Sequence, residues 1–182
     1  PLGSEKLVIA NKRSLWIYYG QYWETLPTRG SVNVVPKSHN EVIVSDSLGI
    51  VILKSGENGF INIDTVFSVH KHKEIKQVKE VAYSAEGTIY FSSANDIWEL
   101  SGELKHIVSS EHSICIYGNS HGIFYSIEND GIFRLNSQSP EPIIHSEHLK
   151  NPNINIFNIR GNSIFILKNF PWVCMASGGT LK

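Results

Sequence analysis

A short apolar strand, a polar turn and a second apolar strand recur five times along this chain, and that recurrence limits the fold more than any other feature. The segments begin at Lys6, Glu41, Thr88, Gly122 and Ser163 and end at Gly20, Gly56, Gly102, Asn136 and Gly178. Their first anchors, Leu7, Val42, Ile89, Ile123 and Ile164, are spaced by 35, 47, 34 and 41 residues. A beat near forty residues is the length of one blade of a β-propeller, in which each unit covers the apolar face of its neighbour.

Each segment has the chemistry of a hairpin. The turns Ser93-Ala94-Asn95-Asp96 and Glu128-Asn129-Asp130-Gly131 hold residues that tolerate positive φ or bond their own backbone. Leading strands such as Val42-Ile43-Val44 and Ile89-Tyr90-Phe91 are β-branched or aromatic throughout, which suits burial on both faces. A further strand is expected before each hairpin after the first, at Val32–Val35, Val78–Ala82, Ser113–Ile116 and Ile154–Phe157. A more polar one is expected after each hairpin but the last, at Tyr22–Leu26, Phe60–Ile63, Leu104–Ile107 and Pro142–Ile144. No sustained helical period is present.

The expectation is therefore an all-β β-propeller of about five blade units, at about 5–30, 31–76, 77–108, 109–148 and 149–182. Three are complete four-stranded blades and the first and last are partial. A β-sandwich also uses short strands, but it does not require one pattern to return every forty residues. The two partial units hold six strands together, too many for one blade, so the reading extends to a fragment of a larger ring completed by further chain or a second chain. Residues Pro1-Leu2-Gly3-Ser4 look like the remnant of a cleaved fusion tag and are set aside, which leaves the natural N-terminus and any leader open.

The hairpins resemble the propeller repeats of two-component regulator sensor domains, with their Leu-Trp-Ile strand, short turn and Gly-Leu-x-Arg. Gly122-Ile123-Phe124-Tyr125 with Asn129-Asp130-Gly131-Ile132-Phe133-Arg134 fits best, and Ser14-Leu15-Trp16-Ile17 carries the Leu-Trp-Ile element. The Gly-Thr that follows the aromatic strand in that family is absent here, and NHL-type and WD40-like propellers fit almost as well. No Trp-Asp dipeptide occurs. The resemblance implies a propeller and a sensing role.

Candidate chemistry is sparse. Sixteen Lys and Arg stand against 17 Asp and Glu, so no global field draws the chain to nucleic acid. No apolar run approaches the roughly 20 residues that cross a bilayer as a helix. Cys115 and Cys174 fit neither a disulfide framework nor a zinc cluster. Gly118-Asn119-Ser120-His121-Gly122 matches a nucleophile elbow as text, yet both flanks read as strand where that motif needs a following helix.

Two stretches are candidate binding surfaces. His70-Lys71-His72-Lys73, with Lys76 and Lys79 beyond, is locally basic and suits an acidic partner or phosphate. On a strand, His70 and His72 would share a face and could ligate a metal, though no third ligand stands nearby. Trp16, Tyr18, Tyr19, Tyr22 and Trp23 put five aromatics into eight residues, more than one blade interface needs, so the spare rings suit a partner or a carbohydrate. Asp46, Asp96 and Asp130 recur in successive turns and could gather a cation, although turn chemistry alone explains each.

The functional expectation is non-catalytic recognition of a protein, a peptide or a small extracellular ligand, with no cofactor. Such a module would be extracytoplasmic in a sensor and cytoplasmic in an adaptor or scaffold. The enzymatic alternative, a propeller hydrolase or lyase, needs acidic or His residues where the inner strands start. Asn33, Lys79, Ser113 and Asn155 stand there instead.

Overall fold

Asp46 shows how the local chemistry closes a hairpin. Its carboxylate accepts hydrogen bonds from the Leu48 and Gly49 amides at 2.8 and 3.2 Å, which fixes the two-residue turn Ser47-Leu48. In the computed structural model this turn joins the two central strands of the second sheet. The structure describes residues 6–10, 14–30, 32–56, 61–119, 122–128, 130–135 and 140–145. It also describes the backbone of 156–160, 163–170 and 173–180.

Eighteen strands form five antiparallel meanders in chain order among the described residues. The first sheet is β1 (Leu7–Ala10), β2 (Leu15–Tyr18) and β3 (Trp23–Leu26). The second is β4 (Asn33–Pro36), β5 (Glu41–Asp46), β6 (Gly49–Ser55) and β7 (Ile61–Ser68). The third is β8 (Glu80–Tyr83), β9 (Ile89–Ser93), β10 (Asp96–Leu100) and β11 (Leu104–Ser109). The fourth is β12 (Ile114–Asn119), β13 (Gly122–Ile127), β14 (Gly131–Leu135) and β15 (Glu141–His145). The fifth is β16 (Ile156–Arg160), β17 (Ser163–Phe170) and β18 (Val173–Thr180). The fold is all-β, its strand counts are those the repeat predicts, and one 3-10 turn at Val69–Lys71 is the only helical element described.

Two strand expectations need correction. The strand placed at Val78–Ala82 starts at Glu80, because the Val78 amide donates to the Ser47 carbonyl at 3.2 Å and is lost to any ladder. The strand placed at Ile154–Phe157 runs from Ile156, and Ile154 and Asn155 lie outside the described residues, as do Pro1–Ser4 and Phe60.

The chain divides into two compact units, residues 1–81 and 82–182. In the first, register decides which side chains meet. Val8 lies opposite Ile17, and Ala10 and Leu26 both lie opposite Leu15, so these five share one face. They pack with Val42, Val44 and Leu53 of the second sheet. Each fully buried Leu or Ile contributes about 1.5–3 kcal/mol. The second unit holds a like core of Ala82, Ile97, Val108, Ile114, Ile116, Ile123, Tyr125 and Ile127. There β12 reaches β8 at Gly118, where a Cβ would stand 2.9 Å from the Tyr83 carbonyl oxygen and 3.1 Å from the Ala82 Cβ.

The four-stranded sheets repeat two details. Each outer strand is bulged at the same place: Ile50, Ile97 and Ile132 pair with Phe67, Val108 and Ile144, and the next pair skips one residue of the outer strand. Opposite those three isoleucines stand Ser45, Ser92 and Ser126, all buried.

Candidate functional site

The basic stretch follows β7 and is a pinned turn. The Val69 amide donates to the Leu48 carbonyl at 2.8 Å, the His72 amide to Val69 at 3.0 Å and the Ile75 amide to His72 at 3.1 Å. The Ile75 and Val78 side chains are buried. Backbone and apolar anchors thus alternate with exposed His70, Lys71, Lys73 and Lys76. The Asn33 side-chain amide bonds the Lys79 carbonyl at 2.6 Å and fixes the far end.

A shared strand face for His70 and His72 is corrected here. Capture of Val69 by Leu48 winds the chain into a 3-10 turn, and His72 is its C-cap. The His72 ring stacks on buried Phe67 with centroids 5.0 Å apart, and its Nδ1 lies 3.4 Å from Glu74 Oε1. No group of three His, Cys, Asp or Glu suited to a metal comes together among the described residues.

The aromatic stretch is a separate surface on the first sheet. Gly20, at φ 85°, turns the chain between β2 and β3, and the Tyr19 amide donates to the Tyr22 carbonyl at 3.0 Å. Tyr19 and Tyr22 stack at 5.0 Å, and Tyr18 meets Trp23 at 4.9 Å. The Tyr19 hydroxyl donates to Glu24 Oε2 at 2.8 Å, and burial, then that bond and charge, push its pKa up to about 12. Leu15 and Ile17 point into the core, so alternation puts Trp16 and Tyr18 on the opposite face, beside Leu7, Ile9 and Trp23. Trp16, Tyr22 and Trp23 are 40, 56 and 49% exposed, more than strand packing alone requires.

Two of the recurring aspartates are engaged locally. Besides the turn amides, Asp46 accepts from the Arg29 amide at 3.0 Å, while the Ser47 hydroxyl donates to the Arg29 carbonyl at 2.7 Å. Asp96 accepts from the Ser109 hydroxyl at 2.6 Å and lies 3.1 Å from His106 Nε2. Each of these two carboxylates is spent within its own sheet and its connections. Asp130 is exposed, and its amide donates to the Ile127 carbonyl at 3.1 Å. The text match to a nucleophile elbow is a hairpin, with Asn119 paired to Gly122; Ser120 and His121 lie outside the described residues. Cys115 is a half-buried thiol on β12, and the Cys174 side chain lies outside the described residues.

Sequence reasoning missed a cleft of about 320 Å³ between the first two sheets, lined mainly by Leu15, Leu26, Val44, Leu53, Ile63 and Phe67. It also missed Phe67 as the seat of His72. The apolar residues were visible, but their convergence depends on how two consecutive sheets meet.

No family model matches the chain, and no curated protein does. Solved structures share its fold, among them these two. One is a protein of unknown function from Bacteroides caccae, 8% identical over 90% of this chain and 68% of the other, with a TM-score of 0.55. The other is a luciferin-regenerating enzyme, 12% identical over 97% of this chain and 73% of that one, also at 0.55. At such identities the likeness speaks to fold alone.

Proposed function

We propose that the chain is a non-catalytic recognition module built on a β-propeller, and that its 69–79 segment binds an acidic protein or peptide. The propeller reading draws on the five consecutive meanders and on the recurrence of the same bulge and the same buried serine in each four-stranded sheet. The observation that carries the binding reading is the pinned basic turn. Four lysines and two histidines with a single glutamate stand on a backbone anchored at Val69, His72, Ile75 and Val78. Ordering cost is met during folding, so an incoming carboxylate array meets charges already in place. Such a module serves a sensor or an adaptor equally, because the surface selects charge and not compartment.

The test is a titration of the chain with a fluorescein-labelled hexaglutamate peptide at several salt concentrations. Binding is expected to weaken as salt rises. A triple variant Lys71→Glu, Lys73→Glu, Lys76→Glu is expected to lose at least tenfold in affinity (about 1.4 kcal/mol) with its thermal midpoint unchanged. Equal binding by the variant, or affinity indifferent to salt, would overturn the assignment.

A further inference from the structure

We infer that β1 is a strand acceptor: its edge, unpaired among the described residues, takes up an extended, β-branched peptide segment, which adds a fourth strand to the first sheet. The position argues it first. In the second, third and fourth sheets a strand precedes the central hairpin and pairs with its leading member, as β4 does with β5, β8 with β9 and β12 with β13. β1 is the leading member of its own hairpin, and it runs alongside β4 as β9 runs alongside β12. The far edge of β1 therefore occupies the place that an inner strand fills four times elsewhere in the chain, β16 beside β17 included.

The chemistry of the edge argues it again. Folded proteins protect open strand edges with charge, proline or a bulge. The outer strands of the four-stranded sheets obey this: β7 carries Asn62 and Asp64, β11 carries Lys105 and His106, β15 carries Glu141 and Pro142, and all three are bulged. β3 carries Glu24, and the inner edge β4 carries Pro36. β1 reads Leu-Val-Ile-Ala, pairs with β2 without a register shift and has none of these guards. Leu7 and Ile9 are 39 and 43% exposed, an apolar shelf on one face, while Val8 and Ala10 continue the core on the other. Backbone hydrogen bonds would supply affinity and the shelf would supply selectivity.

The occupant's chemistry is read from the strands that fill this place elsewhere: Val34-Val35, Val81-Ala82 and Ile114-Cys115-Ile116. A synthetic decapeptide with the sequence of residues 77–86 is therefore the probe. On titration into the full chain it is expected to slow hydrogen exchange of the Leu7–Ala10 amides at least tenfold, with no such slowing in Trp23–Leu26 or Ile61–Ser68. Ile9→Lys, a change at an exposed position, is expected to weaken binding at least tenfold with the thermal midpoint unchanged. A probe carrying Val81→Pro is expected not to bind. Protection at another strand, no protection at saturating probe, or equal affinity for Ile9→Lys would overturn the inference. So would a dimer in sedimentation that Ile9→Lys dissociates and the probe does not, since a second copy would then hold the edge.

Discussion

The first two sheets are built from the same hairpin pattern and end in opposite states. In β4–β7 the leading hairpin strand is buried from Val42 to Ser45, and the edge strand is bulged and polar. In β1–β3 the leading strand exposes alternate residues, and the outer face carries Trp16 and Trp23 in the open. Both leading strands carry a run of apolar residues, so the difference lies in what covers each face. Burial in this architecture belongs to pairs of neighbouring sheets and not to any sheet alone.

That contrast is open to attack by substitution. The largest effect is expected at Gly49, where a Cβ would fall 2.3 Å from the Phe67 carbonyl oxygen, against backbone that cannot yield without opening the β6–β7 bulge. Gly49→Ala is expected to cost on the order of 3 kcal/mol in a urea melt. Next come two matched truncations, one in each sheet. Ile50→Ala, at a site with 0% exposure, is expected to cost about 2–5 kcal/mol, whereas Ile9→Ala is expected to cost less than about 0.5 kcal/mol. Similar losses at the two sites would mean that the outer face of β1–β3 is covered in solution, and the contrast would fail.

The turns sharpen the comparison at smaller cost. Ser47-Leu48 is held by Asp46, whereas the equivalent turn in the third sheet puts Ala94 at φ 50° in the left-handed region. Ala94→Asn is expected to stabilise by about 0.5–1 kcal/mol, read as a rise in thermal midpoint. The smallest effect concerns pH. The Lys37 ammonium, 2.9 Å from Glu41, holds that carboxyl below its ordinary value. Its stabilisation is present above the carboxylate's unfolded pKa and fades as acid carries the pH down through the lowered one. Lys37→Met is expected to remove about 0.2–1 kcal/mol at pH 7 and nothing once Glu41 is protonated in both states. A loss that persists unchanged in acid would assign the effect to packing.

Much of the fold was legible because its signals are local. Asn, Asp and Gly between apolar runs announce hairpins, and the forty-residue spacing announces units. The candidate site was legible only as composition. Lys71, Lys73 and Lys76 were visible as charge, but the 3-10 turn that presents them exists because Leu48, more than twenty residues earlier, captures the Val69 amide. Phe67 was visible as an apolar residue and invisible as the seat of His72. Trp16 and Trp23 were visible as a surplus of rings, yet the side of the sheet they take follows from which face meets Val42 and Leu53.

By itself the sequence determined the all-β character, the five sheets and their strand counts, since period-two alternation, turn residues and spacing act over a few residues. The tertiary structure alone decided the bulges, the pinned basic turn, the cleft and which edge stays unpaired among the described residues. Each of these depends on a backbone group finding a partner in another strand or sheet, and pairing at that range is set by how the sheets meet and not by the residues beside it in the chain.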